Sequence, residues 1–302
     1  MGPDTPPGMH EAILAWYDRR GRSLSFRATS DPYAVLVSEV MAQQTQISRV
    51  AVAWPIFLNA FPTIAALAAA TPADVLRAWE GLGYNRRALN LWRAARVVAD
   101  DYGGVVPSDV AALQRLPGIG PYTARAVAAI AFGSRVGAVD TNVRRVLGRI
   151  ACGDATAPSA AEMQALADSA VPLDRSADWT HALMDIGATV CRSRSPDCGA
   201  CPARAWCRFA AQAAAGPAVA STPAAQRRQR PAEPRFPGTS RWLRGRILDR
   251  LREADGQAWV RLDDPIGDHS ASVVADALQR LASEGLLELD ATDPRLARLP
   301  TA

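Results

Sequence analysis

From residue 10 to residue 209 the apolar side chains recur every three or four positions and almost never alternate. A stretch of that kind cannot build a sheet with one wet face, so it must pack helix on helix. Glu11–Tyr17 sets Ile13, Leu14 and Tyr17 on one face, and Pro32 opens an apolar helix from Tyr33 to about Met41. Thr71, followed by Pro72, and Ser108 read as capping residues of two further helices. The expected fold class is all-α, over a core of residues 1–209. Residues 210–240 are crowded with Ala, Pro, Gln and Arg, lack the side chains a core needs, and read as a flexible linker. Beyond it Leu243, Ile247, Leu248 and Leu251 share one helix face, and Val274, Leu278 and Leu281 another. GLLELD and RLARLP then read as strands. Helix, helix and terminal hairpin predict a small winged-helix-like module over 241–302.

The net charge of +4 and pI near 9.0 permit an anionic partner without proving one. All 34 basic residues are arginine. Without lysine, no side chain can act as an amine nucleophile or form a Schiff base. No apolar stretch is long and charge-free enough to span a membrane. MGPDTPPGMHEAIL lacks the basic start and apolar core of a secretory signal. The expected location is the cytoplasm, with no membrane partner.

Four cysteines, Cys191, Cys198, Cys201 and Cys207, form a C-x6-C-x2-C-x5-C pattern within 191–207. Disulfides do not suit a cytosolic chain. Structural zinc accepts four thiolates but usually takes two separated C-x2-4-C pairs. One compact loop with a single tight pair suits an iron–sulfur cubane. The spacing ranks iron–sulfur above zinc and leaves both open.

LPGIG at 116–120 ends one helix and starts another at Pro121. Gly118 and Gly120 allow a tight bend and close approach to a ligand, and the new helix offers free N–H groups to phosphate. This is the helix-hairpin-helix way of gripping a nucleic-acid backbone, although an ordinary helix–helix turn uses the same residues. Asp140 stands before a helix bearing Val143, Val146, Leu147 and Ile150, where it can cap the helix and stay ionised. Glu39 lies among Val35, Leu36, Val37, Val40 and Met41. It is either the wet side of an amphipathic helix or a buried carboxyl with a raised pKa. In the second case one carboxyl is neutral and one ionised, as acid-assisted glycosidic cleavage requires. Gln43, Gln44, Thr45 and Gln46 beside it can bond base edges or fill the gap left by a displaced base.

SEVMAQQTQ, WEGLGYNRRALN, LPGIGPYTARAVAAIAFG, AVDTNVRRVLGR, ALMDIGATVC and the cysteine loop occur in that order. Together they resemble the A/G-specific adenine DNA glycosylases of the MutY type, within the endonuclease III superfamily, over roughly residues 10–210. The resemblance implies a six-helix barrel lobe, a lobe with a [4Fe-4S] cluster on the four cysteines, and DNA bound between them. It implies a monomer acting in base excision repair on double-stranded DNA with A:8-oxoguanine or A:G mismatches, associated with the nucleoid when bound. It casts Glu39 as the acid that protonates adenine at N7 and Asp140 as the carboxylate that stabilises the sugar cation, with Tyr122 and Asn142 in support. Gln43 and Tyr84 match residues inserted into the base stack, and Arg27 and Asp185 match outer contacts of the adenine pocket.

Relatives that also cleave the strand carry a lysine where this chain has Tyr122, so hydrolysis without lysine-mediated cleavage is expected. The chain departs from the family's pattern at Phe26, Asn85 and Thr141. Residues 240–302 are also shorter than the Nudix-like domain that recognises 8-oxoguanine. Two other readings are a glycosylase removing thymine or uracil opposite guanine, and a non-catalytic DNA-binding iron–sulfur protein. SEVMAQQTQ and the two carboxylates favour the adenine enzyme.

Overall fold

The computed structural model describes residues 6–153, 158–215 and 235–301. The chain begins with α1 (Met9–Arg20), α2 (Pro32–Ala42), α3 (Ile47–Ala60), α4 (Ile64–Ala69), α5 (Pro72–Ala78) and α6 (Arg86–Asp101). Then come α7 (Val110–Gln114), α8 (Pro121–Phe132), α9 (Thr141–Cys152), α10 (Ala160–Ser169), α11 (Ser176–Asp185) and α12 (Arg208–Ala214). The C-terminal run is α13 (Ser240–Glu253), β1 (Val260–Arg261), α14 (Ala271–Ser283), β2 (Glu288–Leu289) and β3 (Leu296–Arg298). The fold is all-α, with one three-stranded antiparallel sheet of order β1-β3-β2 among the described residues. None of the described helices is long and apolar enough to cross a membrane.

Two compact units interleave along the sequence. The first takes residues 1–39, 107–115 and 119–226, and the second 40–106, 116–118 and 227–302. The core of the first joins α1, α9, α10 and α11 through Ile13, Val143, Leu147, Met163, Trp179 and Leu183, all buried. Burying each aliphatic side chain contributes about 1.5–3 kcal/mol, which sets these four helices against one another. In the second unit α4 packs on α6, around Phe57, Leu67, Leu76, Trp79 and Leu91.

Local chemistry explains the helix starts that matter most. Asp31 accepts the Ala34 N–H at 3.0 Å and sends the chain into α2, whose residues 33–41 are all buried. A helix apolar all round has no wet side, so Glu39 goes inside with its neighbours. Thr71 caps α5 as expected. For α7 the cap is Asp109 in place of Ser108, with Oδ1 accepting the Ala112 N–H at 2.8 Å. Ser108 stands one residue too early to reach the free donors of the first turn.

Most of the expected 210–240 linker, residues 216–234, lies outside the described residues, while its ends carry the last turn of α12 and a 3-10 turn at Phe236–Gly238. In the C-terminal run, Leu243, Ile247, Leu248 and Leu251 of α13 and Val274, Leu278 and Leu281 of α14 are buried as their spacing predicts. The expected hairpin is β2–β3. The third strand, β1, pairs Val260 with Ala297. At two residues it is too short to show alternation, so no pattern announced it.

Candidate active site

Glu39, in the last turn that α2 gives to the first unit, is 8% exposed, and its buried Oε2 has no hydrogen-bond partner among the described residues. Burial pushes its pKa up from 4.5 to about 7. The Tyr122 hydroxyl and the charge of Arg27 pull it down, and Asp140 adds a smaller upward push. Tyr122 stands in the first turn of α8. Burial, and then the negative charge of Glu39, hold its phenol well above the ordinary value. Its hydroxyl also lies 3.8 Å from Met184 Sδ.

Asp140 is the N-cap of α9. Its Oδ1 accepts the Val143 N–H at 2.7 Å and its Oδ2 accepts the Asn142 amide at 3.1 Å. Capping therefore fixes this carboxylate at the one place on α9 where the helix dipole favours negative charge. Asn142 is held in turn by Arg145, which donates to Asn142 Oδ1 at 2.8 Å, to the Gly187 carbonyl at 2.7 Å and to the Cys191 carbonyl at 2.7 Å. A Cβ on Gly187 would come within 2.5 Å of Asn142 Cβ, so only glycine fits where the π-helical turn Ile186–Val190 meets α9. The four expected catalytic residues thus share the first unit, with Glu39 interacting with both Tyr122 and Asp140.

Arg27 and Asp185 meet one another. Asp185 is fully buried and takes four donors: Arg27 Nη1 and Nη2, both at 2.9 Å, and the backbone N–H (2.8 Å) and Nε (2.7 Å) of Arg22. Both carboxylate oxygens are occupied, so Asp185 acts by orienting Arg27. Arg22 was not anticipated; nothing in its surroundings, GRSLSFR, marks it as a partner 163 residues from Asp185. His181, also buried beside this pair, is pushed down to about 3 by burial and by the charge of Arg27, and is therefore neutral.

The helix-hairpin-helix turn joins α7 and α8, which pack together. Gly118 has φ of 77°, and a Cβ there would lie 2.7 Å from Asn90 Cβ, so glycine is required twice over. Gly120 is extended, and a Cβ on it would meet no atom within 4 Å. Its contribution is open space before the free N–H groups of α8.

Gln43, Gly118 and Tyr84 belong to the second unit. The Gln43 side chain lies 3.4 Å from the Gly118 carbonyl. Tyr84 has φ of 46° and its ring is 42% exposed. A non-glycine residue in that region is strained, at about 1–3 kcal/mol, and needs surroundings that hold it. Arg87 supplies them, and sequence reasoning missed it. Its buried guanidinium donates to the carbonyls of Val40, Met41, Gln43, Leu82 and Gly83 and to the Thr45 hydroxyl, at 2.6–3.1 Å. One side chain thus ties the loop carrying Gln43 to the loop carrying Tyr84. Burial lowers its pKa to about 10, still charged at neutral pH.

Cys191, Cys198, Cys201 and Cys207 are all free thiols and line a single hollow with Arg149 and Phe209. Arg149 donates to Cys191 Sγ at 3.4 Å and to the carbonyls of Arg192 and Ser193, both at 2.9 Å. Among the described residues, no group of three or more His, Cys, Asp or Glu is arranged to hold a single metal ion.

Comparison with known proteins shows the family of the chain. Residues 37–172 match the HhH-GPD superfamily of base excision DNA repair proteins. An adenine DNA glycosylase of Mycolicibacterium smegmatis is 43% identical over 287 residues, 94% of each chain. One from Mycobacterium tuberculosis is 46% identical over 92% of each. A match of 287 residues must include most of 235–301, so the short C-terminal end is shared with that relative. The solved structure of a thermostable thymine-DNA glycosylase is 30% identical, with a TM-score of 0.62 over 67% of this chain and 94% of its own.

Proposed function

This chain belongs to the adenine DNA glycosylases of the HhH-GPD superfamily, and from that membership we infer that it hydrolyses the N-glycosidic bond of adenine mispaired with 8-oxoguanine or guanine in double-stranded DNA. The observation that carries the chemistry is Glu39: a carboxyl with pKa raised to about 7, one oxygen unpartnered, interacting with both Tyr122 and Asp140. Neutral Glu39 gives its proton to N7 of the extruded adenine. The C1′–N9 bond then breaks, and its electron pair leaves with the base. Asp140 stabilises the positive charge left on the sugar, held in place by the Val143 N–H and Asn142. Water adds to C1′ and loses a proton, which leaves an abasic site. No lysine is present to attack that site, so the strand stays whole.

The four cysteines fit a [4Fe-4S] cluster: all are free, all line one hollow, and Arg149 already donates to one sulfur. A cluster on these four thiolates would cross-link the 191–207 loop, which Arg145 and Arg149 already hold through the Cys191, Arg192 and Ser193 carbonyls. Iron and sulfide analysis after anaerobic purification checks it, and zinc without iron would reject it.

The function is tested on duplexes carrying A:8-oxoguanine, A:G, T:G and U:G, with and without hot alkali. Excision at adenine, revealed only after alkali, is expected. Glu39→Gln should slow it by about 10²–10⁴-fold, the usual range for removing a general acid. Cleavage only at thymine or uracil would favour the activity of the thymine-DNA glycosylase relative. Binding without any cleavage would favour a non-catalytic protein.

A further inference from the structure

Three donors converge on one oxygen of Asp168, in α10. Its Oδ1 accepts from Arg125 Nη1 at 2.6 Å, from the Gly137 backbone N–H at 2.8 Å and from Gln164 Nε2 at 3.1 Å. Arg125 belongs to α8 and stands three residues beyond Tyr122. Gly137 belongs to the segment 133–140, which ends on Asp140, the cap of α9. All of these residues lie in the first unit. One carboxylate oxygen is therefore bonded both to the helix that carries Tyr122 and to the segment that delivers Asp140.

Residues 133–140 form neither helix nor strand, so their backbone groups must find partners elsewhere. The α10 region supplies them. Gln164 donates to the Gly137 carbonyl at 2.9 Å, so both backbone groups of Gly137 are taken by side chains one helical turn apart. A Cβ on Gly137 would lie 2.6 Å from the carbonyl carbon of Ala167, so the segment runs directly against helix backbone and only glycine fits. Just past the end of α10, the Val171 carbonyl accepts from Arg135 Nε at 2.9 Å. The cap bonds orient the Asp140 carboxylate on α9, while the Asp168 bonds tie the chain three residues earlier to α8. Three residues span at most about 10 Å, which leaves little slack.

We propose that Asp168 is a positioning residue for the glycosylase reaction: through Arg125 and Gly137 it fixes Asp140 in relation to Tyr122 and Glu39. The inference rests on the reading of the chain as an adenine glycosylase. It extends that reading to α10, a helix that carries none of Glu39, Tyr122, Asp140 and Asn142.

The test measures single-turnover excision from an A:8-oxoguanine duplex, and Kd for that duplex in the full chain also carrying Glu39→Gln. Asp168→Ala should lower the rate by about 10- to 100-fold, as a displacement of up to about 1 Å does, and leave Kd where it was. Asp168→Asn offers an amide oxygen in place of Oδ1. It should stay within about fivefold of the parent, because the charge of a part-exposed ion pair contributes little. Gly137→Ala, which forces the segment off α10, should reproduce the loss. Hydrogen exchange of the full chain reads the geometry without the reaction. Asp168→Ala should speed exchange at the Gly137 N–H, which loses its acceptor, and at the Val143 N–H, which Asp140 caps. The Ala182 N–H of α11 should keep its protection. An unchanged rate would overturn the proposal, as would an equal loss in Asp168→Asn or a loss of protection shared by Ala182. If the unmutated chain excised no adenine, the catalytic reading would have failed, while exchange at Val143 would still decide whether Asp168 holds Asp140 in place.

Discussion

Glu39 and Asp185 are both buried carboxyl groups of the same unit, and they are tuned in opposite directions. Burial raises each. At Asp185 the hydrogen bonds and charge of Arg27 and Arg22 outweigh burial and bring its pKa below the ordinary 3.8. Glu39 feels the same Arg27 only through its charge, keeps one oxygen without a partner, and ends near 7. The difference shows that burial does not fix the protonation state of an interior carboxyl; the number of donors aimed at it does. Asp185 has four donors and is committed to structure. Glu39 is left short of them and holds a proton that it can give away.

The largest test of that contrast is Asp185→Asn, which leaves two arginines facing a neutral amide. Removing one member of a buried pair costs about 3–5 kcal/mol, so the variant should unfold in urea with that deficit at pH 7. The sign follows from the lowered pKa: the stabilisation is present above the unfolded value of 3.8 and is lost as pH falls through the folded value. The deficit should therefore close in acid. A deficit under about 1 kcal/mol at pH 7 would place this pair with ordinary surface ion pairs and break the comparison.

Glu39→Gln should behave in the opposite sense. With a folded pKa of about 7 against 4.5 unfolded, the native state holds a proton that the unfolded chain has lost, and stability falls as pH rises through that window. Above pH 7 the unmutated protein carries a penalty of about 3 kcal/mol, from roughly 1.4 kcal/mol per unit. Glutamine does not carry that penalty. The variant should be more stable than its parent at pH 8 and close to it at pH 4.5, as measured by urea titration at both values. A gain that did not grow with pH would mean that the carboxyl is not short of donors.

Much of the site was legible because the signal was local. Asp140 caps α9 as its position predicts, and Gly118 takes the bend its motif requires. The α2 sequence left Glu39 open between a wet and a buried setting, since a single acidic residue in an apolar run looks the same in both. Only packing on every side of α2 decides it. Arg87 and Arg22 went unread for a different reason. Each acts across sequence, Arg87 on the carbonyls of Val40, Met41 and Gln43 more than forty residues away and Arg22 on Asp185, and a backbone carbonyl acceptor has no signature in side-chain type. The same limit hid Asn85: as a departure from a family pattern it was visible, but its partner Arg252 lies 167 residues on.

Tyr122 offers the finest probe of the contrast, because it is one of the few groups that pull the Glu39 pKa down. Its hydroxyl favours the charged form of Glu39 by hydrogen bonding. Tyr122→Phe takes away that donor, moves Glu39 further from the donor-rich state of Asp185, and so raises its pKa. Excision needs the neutral acid, so kcat/KM holds at low pH and falls above about 7 in the unmutated chain. In the variant the falling limb should move to higher pH, in a pH–rate profile on A:8-oxoguanine duplex with Asp185 untouched. A limb displaced toward acid would mean that the phenol stabilises neutral Glu39, and that the proton is retained by a hydrogen bond in place of a shortage of donors.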